Sequence, residues 1–443
     1  MISHMVLGSG MAGLGADHRL RENGIEAVLY EKESIPGGHT RTHVYDGEWF
    51  FDEGPHVSFT ENERVQDLLA DAVDGEFERL PAIVDNYWRG HRLKHPAICN
   101  LHGLPDDLVV DCITDFVTAS HDPAQGEPAD YEQWLRSSYG DTFAEKFPME
   151  YAVKVHTTAA KNLGTDWLGP RLYRPDLEQV VRGAISPDTE DVHYVTKYRY
   201  PTNGGFNSYI NPMLAKATLQ LDHRVTAIDP VEHVVSFANG AQEQYEHLIS
   251  SIPLPELVPM VSGAPDDIIE AASLLTATSM VLVNVGVDRE DVGDTWTYFY
   301  DPDIVFTRLS YPSSLSPNMA PPGCGSFQAE IYYSDKYKPL DEEPADLIDR
   351  TIADLRRTGL IVETDQILHE SAVVVPYGNI IHDHDKVPAL EAILPWVREQ
   401  GIHLCGRYGL WGYQWTDEAF VTGEDAAQAA LDGTDVAQTM VNA

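Results

Sequence analysis

A short, mostly apolar run from Ile2 to Leu7 that passes at once into Gly8-Ser9-Gly10-Met11-Ala12-Gly13 leaves a chain few ways to fold. The run reads as a buried strand, and the Ala/Leu/Arg-rich residues after the glycines have helical spacing. A second apolar run, Ala27 to Tyr30, ends on Glu31, 18 residues after Gly13. These roles fit a dinucleotide site. Gly8 allows a tight turn, Gly10 lets a pyrophosphate approach the backbone, and Gly13 lets helix and strand pack closely. Glu31 can accept a hydrogen bond from a ribose hydroxyl. The helix start offers free N–H groups and a positive dipole end. Taken alone, the motif admits NAD, NADP or FAD.

Composition removes several classes of function. The 443 residues are enough for two domains or one interleaved pair. A net charge of −40, from 70 acids and 30 bases of which 10 are lysines, argues against nucleic acid or an anionic membrane as partner. The acidity has two readings: solubility through self-repulsion, or adaptation to high salt, where dense carboxylates keep the surface hydrated. Cys99, Cys112, Cys324 and Cys405 show no CxxC spacing and read as reduced core thiols of a cytoplasmic protein. A strand starting at residue 2 leaves no room for a signal peptide. No apolar run approaches the roughly 20 residues that span a bilayer. The expected protein is soluble and cytoplasmic, with a small-molecule substrate.

Past Glu31 comes Ile35-Pro36-Gly37-Gly38-His39-Thr40-Arg41-Thr42, whose glycines and arginine would return backbone and a cation to the same diphosphate. His43 to Trp49 reads as a hairpin turning at Asp46-Gly47, returning through Phe50 to Val57 with His56 near its end. Glu61 to Arg199 is mostly helical in pattern, with extended pieces around Tyr87-Trp88 and Arg92-Leu93 and a polar loop at Ser120–Asp130. Tyr200 to Phe206 holds a second glycine pair before a helix at Ser208–Ala217. Arg224–Ile228 and His247–Ile252 read as strands. Met280–Val287, Trp296–Tyr300, Ile304–Leu309, Ser326–Tyr333 and Ser371–Val375 alternate as an antiparallel sheet. Leu340–Asp346 and the helix Leu347–Thr358 read as a charged surface insertion. Ile402 to Gly409 (IHLCGRYG) is a strand and turn, and an Ala-rich helix follows. No metal-ligand cluster stands out; His382-Asp383-His384-Asp385 reads as a surface loop.

The order GxGxxG, acid, PGGxxRT, D-x-G-x-H and a final GR resembles the FAD-dependent superfamily of amine oxidases and protoporphyrinogen oxidases. Within it, the motifs are most similar to UDP-galactopyranose mutase-like proteins. The resemblance implies FAD and an α/β (α+β) fold: a Rossmann-like FAD-binding domain with a discontinuous substrate domain, helical and antiparallel-sheet. The FAD-binding domain would comprise 1–60, 198–255 and 395–443, and the substrate domain 61–197 and 256–394. It further implies that Gly37, Gly38 and Arg41 contact the diphosphate and Val225 touches the adenine region through backbone groups. Gly406, Arg407 and Asp417 would serve the flavin end, and His56 would lie close to the flavin. Arg308 and Tyr377 resemble mutase positions that hold a sugar-nucleotide diphosphate, although each side chain is equally consistent with a structural partner. Tyr151-Ala152-Val153-Lys154-Val155-His156 resembles a mutase stretch with His in place of Trp; Lys154 and His156 also read as a solvated helix face.

The implied activity is hydride transfer from a small organic substrate to flavin N5. The alternative is a mutase-like isomerisation of a sugar nucleotide, and a third reading is a non-catalytic FAD-binding protein. If the acidity is a salt adaptation, the protein unfolds at low ionic strength and refolds in molar salt. A circular-dichroism titration indifferent to salt leaves self-repulsion as the explanation.

Overall fold

Both faces of β1 (Ile2–Leu7) are apolar, and the chain buries both. In the computed structural model, which describes residues 1–121, 126–169 and 172–434, Met5 and Leu7 enter one hydrophobic cluster and Val6 another. A strand covered on two sides belongs inside a parallel sheet. β1 pairs in parallel with β2 (Val28–Tyr30) and with Gln242–Ser250, in register Met5↔Val28 and Leu7↔Ser250. Thr218–Gln220 continues the sheet beyond β2, and Ile402–Leu404 pairs in parallel with the far side of Gln242–Ser250. A meander of Val225–Asp229 and Val234–Phe237 extends it antiparallel.

α1 (Met11–Glu22) runs from the glycine turn and packs on the last long helix, Thr416–Asp432. The contact is backbone to backbone. A Cβ on Gly15 would lie 2.0 Å from Phe420 O, and one on Gly423 would lie 1.8 Å from Ala12 O. Glycine at both crossing points is what allows the two axes to approach so closely.

The second sheet follows the order 367–375, 279–287, 325–333, 308–310, 296–299, 84–88 and 91–94. It is antiparallel except where Trp296–Phe299 meets Val84–Trp88 in parallel. The helices Asp106–Ser120, Tyr131–Tyr139, Asp141–Lys146, Pro148–Val155 and Leu177–Ile185 pack beside it around Trp134, Phe143 and Phe147. Helices from several separated stretches of the chain also pack on the first sheet. Leu254, Ile268, Leu390 and Ile393 share a core cluster with Met5 and Leu248, and Val65 and Leu69 share one with Val6.

Four expectations need correction. Within the run Ile304–Leu309 only Arg308 and Leu309 are strand, because Val305 N–H donates to Asp354 Oδ2 at 2.7 Å and not to a neighbouring strand. The helix Asp346–Arg357 is no mere surface insertion: Leu347, Thr351 and Leu355 are buried on the second sheet. His382 and Asp383 are buried, not on a surface loop, and Asp383 accepts from Lys336 Nζ at 2.7 Å and Tyr337 Oη at 2.8 Å. Lys154 and His156 are half-buried, not solvated: Lys154 donates to Asp301 O at 2.8 Å, and burial pushes its ammonium down to about 7. The loop Ser120–Asp130 lies partly outside the described residues. Cys99, Cys112 and Cys405 are buried and Cys324 half-buried, all free. Among the described residues, no helix is long and apolar enough to cross a membrane.

The helix crossing predicts that Gly423→Val costs about 3 kcal/mol or more, since two backbones must part to admit the side chain. Urea denaturation checks this; a variant within about 0.5 kcal/mol of the parent would mean that the crossing relaxes freely.

Candidate active site

The glycine turn is built by contact as much as by conformation. Gly8 has φ +105°, and a Cβ there would meet Ser251 Oγ at 2.1 Å. A Cβ on Gly13 would lie 2.0 Å from Gly8 O, so helix and turn touch with nothing between them. The second glycine pair returns to the same place: a Cβ on Gly38 (φ +55°) would sit 3.1 Å from Gly10 Cα. Gly37 (φ +113°) donates its N–H to Ser9 Oγ at 3.2 Å. Two bare backbone segments therefore approach each other closely with no side chain between them.

Glu31, at the end of β2, is buried and already partly engaged. Its Oε2 accepts from Ser9 N–H at 3.0 Å and Ser9 Oγ at 2.6 Å, and its Oε1 accepts from Glu33 N–H at 3.1 Å. The carboxylate is thus oriented at the mouth of the turn by the turn itself. The hairpin Thr42–Asp52 delivers Glu53, which accepts from Arg41 Nη2 at 2.8 Å and makes ring-nitrogen contacts to His43 at 3.0 Å and His39 at 3.3 Å. Burial alone would raise its pKa, but the hydrogen bonds from the two histidines and the arginine charge hold it down to about 2. Its neighbour Asp52 behaves oppositely: burial lifts it to about 6 despite hydrogen bonds from Thr42, Tyr200 and the Phe206 N–H.

A cavity of about 660 Å³ runs between the two sheets. Its lining includes Glu31, Val225, Gly8, Gly10, Gly38, Arg41, His56, Gly406 and Arg407. Arg308 and Tyr377 also line it. The sequence-selected residues that fall outside the lining are Gly13, which packs behind the turn, Gly37, and Asp417. Asp417 sits in the first turn of the last helix, but Thr416 and Ala419 are the residues of that turn that reach the cavity.

His56 donates from Nδ1 to Gly54 O at 3.0 Å, the carbonyl being able only to accept, and burial lowers its pKa to about 4. It is a neutral imidazole with Nε2 as an acceptor. Arg407 donates to Gln414 O from Nε at 2.9 Å and lies 4.6 Å from the centroid of the Tyr413 ring. Arg308 is paired: Nε and Nη2 each lie 2.8 Å from Glu330 Oε1. Glu330 is fully buried and also accepts from Tyr332 Oη. Tyr377 Oη donates to Glu256 Oε1 at 2.8 Å.

Tyr298, Tyr332 and His95 line the cavity without belonging to any motif. Tyr151, Tyr298 and Tyr332 surround Arg308, and His95 stands against Tyr298 with ring centroids 5.1 Å apart. Glu330 was detectable in principle as the one carboxylate in the apolar run Phe327–Ile331. It lies directly opposite Arg308 in strand register.

A parallel sheet carrying a glycine-rich turn, joined to an antiparallel sheet across a long cavity, is the architecture of two-domain flavin enzymes. The sequence pattern of flavin containing amine oxidoreductases matches residues 11–431, and the chain belongs to that family of flavin-dependent enzymes. Among solved structures, it resembles a reduced UDP-galactopyranose mutase with a TM-score of 0.91 and 24% identity, over 98% of this chain and 96% of that one. A protein from an Exiguobacterium species, provisionally described as a protoporphyrinogen oxidase, superposes with a TM-score of 0.75 at 15% identity, over 97% and 99% of the two chains. A redesigned putrescine oxidase gives 0.64 at 14% identity, over 97% and 99%. These likenesses establish the fold.

The buried pair makes Arg308 structural as well as cavity-lining. Arg308→Met strands the Glu330 carboxylate and costs about 3–5 kcal/mol, whereas Arg308→Met combined with Glu330→Leu recovers most of it. Denaturant melts of the two variants check this. Equal stability of single and double variants would show that Glu330 does not depend on Arg308.

Proposed function

We propose that the chain is an FAD-dependent oxidoreductase acting on a neutral, largely apolar small molecule. The observation that carries this reading is the charge state of the far end of the cavity. Beside Tyr151, Tyr298 and Tyr332 the cavity is lined by Arg308, and Glu330 already neutralises that cation. The surrounding groups are tyrosines and neutral imidazoles. A diphosphate buried against a neutralised arginine would lack the counter-charge its desolvation demands, whereas an uncharged substrate needs none.

The residues present fit FAD. Glu31, held by Ser9, would accept from the adenosine ribose, and Val225 would meet the adenine through its backbone. The facing backbones at Gly10 and Gly38, with Arg41 beside them, would take the diphosphate. Gly406 and Arg407 would serve the flavin end, next to His56. When bound, FAD supplies the hydride acceptor. The chain's own contribution is to bind the substrate against the tyrosine wall and to exclude water. His56, held neutral with its Nδ1–H on Gly54 O, keeps Nε2 able to accept a hydrogen bond without adding charge.

A second reading, mutase-like isomerisation of a sugar nucleotide, is favoured by the TM-score of 0.91 to UDP-galactopyranose mutase and by the presence of Arg308 and Tyr377 in the lining.

Purified protein should carry FAD, released intact on heating and identified by mass. Under anaerobic conditions, a panel of neutral amines, alcohols and alkenes should contain members that bleach the oxidised flavin band, while UDP-sugars leave it unchanged. Interconversion of a UDP-sugar by the dithionite-reduced protein, without net electron transfer, would replace the first reading by the second. A colourless protein that takes up no FAD would end both.

A further inference from the structure

His95 took no part in any motif, yet it is the most fully oriented polar group at the substrate end. It lines the cavity beside Tyr298. Its Nδ1 lies 3.0 Å from Asn86 Oδ1. That oxygen is fixed as an acceptor because the Asn86 amide nitrogen is turned toward two backbone carbonyls, Leu93 O at 3.4 Å and Lys94 O at 3.3 Å. Tyr300 Oη donates to the same oxygen at 3.1 Å. Asn86 itself is fully buried, so no water competes for this arrangement. The proton of His95 therefore sits on Nδ1, and Nε2 presents a lone pair with no partner among the described residues.

We propose that His95 Nε2 is the acceptor that recognises the substrate, and that the substrate is a neutral molecule bearing a hydroxyl group. The assignment of the occupant as substrate rests on the oxidoreductase reading; the hydroxyl-binding property of the site does not. A lone pair pre-aimed by a buried amide rewards an O–H donor. It repels a carboxylate, and an ammonium would find no uncommitted carboxylate nearby, since Glu330 is bound by Arg308 and Tyr332. The groups packed against the imidazole keep it uncharged. His193 meets it edge-on at 5.1 Å, with its own Nδ1 on Val195 O at 2.7 Å and its Nε2 buried without a partner. Burial, and then the His193 ring, hold His95 down to about 3. The imidazole is therefore a neutral acceptor near neutral pH, and the aromatic walls provide the apolar remainder of the site.

The probes are phenol and anisole, equal in ring and nearly in size, of which only phenol donates a hydrogen bond. Calorimetry on the full chain with its flavin should show phenol binding about tenfold more tightly than anisole, the worth of one well-made hydrogen bond. His95→Phe should bring the two to equality, and His95→Gln, which keeps an acceptor near the position of Nε2, should restore part of the preference. In protein labelled with 15N-histidine, the Nε2 resonance of His95 should move on adding phenol and stay in place with anisole, a measurement independent of whether a variant folds. Equal affinities in the unsubstituted protein, failure of both probes to bind, or an unmoved Nε2 resonance would each overturn the proposal. Discrimination that persists while no hydroxylated donor reduces the flavin would instead defeat the oxidoreductase reading and leave the acceptor intact.

Discussion

Backbone in contact with backbone is the constraint on which the rest of this structure depends. At Gly8 and Gly13 the turn touches the helix that follows it, and at Gly15 and Gly423 that helix touches the last one. These contacts have almost no tolerance, because a single methyl group at any of them would collide with a carbonyl oxygen or a serine side chain. They fix the start of α1 relative to β1, and so fix where the open backbone N–H groups point. The facing glycine pair at Gly10 and Gly38, the Glu31 carboxylate and the long cavity are all positioned from that start.

Electrostatics then divides the cavity into two unlike ends. Toward the glycine turn, carboxylates and cations lie in a connected array: Glu31 on Ser9, Glu53 on Arg41 with His39 and His43. Toward the tyrosines, Arg308 is neutralised by Glu330, and burial keeps His95 and His156 uncharged. A chain of net charge −40 thus keeps its substrate end close to electrically silent. One end suits a charged cofactor, and the other suits an uncharged reactant.

The first of these ends was legible in the sequence and the second was not, for a physical reason. Turns that need glycine, and strands that need two apolar faces, impose local rules, so Gly8 to Gly13, Gly37-Gly38 and the strands around them can be read in order along the chain. Arg308 and Glu330 meet only because two antiparallel strands are in a given register. His95 is oriented only because Asn86, nine residues earlier, is held by the partner strand of a hairpin. Lys154, His156 and His382 read as solvated because polar residues usually are; here the substrate-side helices and the second sheet close over them. Asp417 is a different case: the turn it occupies presents Thr416 and Ala419 to the cavity.

The glycine crossing between α1 and the last helix joins residues 15 and 420. A ribosome adding about 5–20 residues per second needs roughly 20 to 80 s to make the chain between them. For that interval the first helix is made but its packing partner is not, and the face holding Ala12, Gly15 and Ala16 lacks its cover. The strand Ile402–Leu404, which lies beside Gln242–Ser250, is equally late. The nucleotide-binding half, first to be encoded, is therefore the last to close. A contact of such sequence separation also makes closure slow, so cofactor capture falls at the end of synthesis, when the chain finally encloses the space it opened with its first thirteen residues.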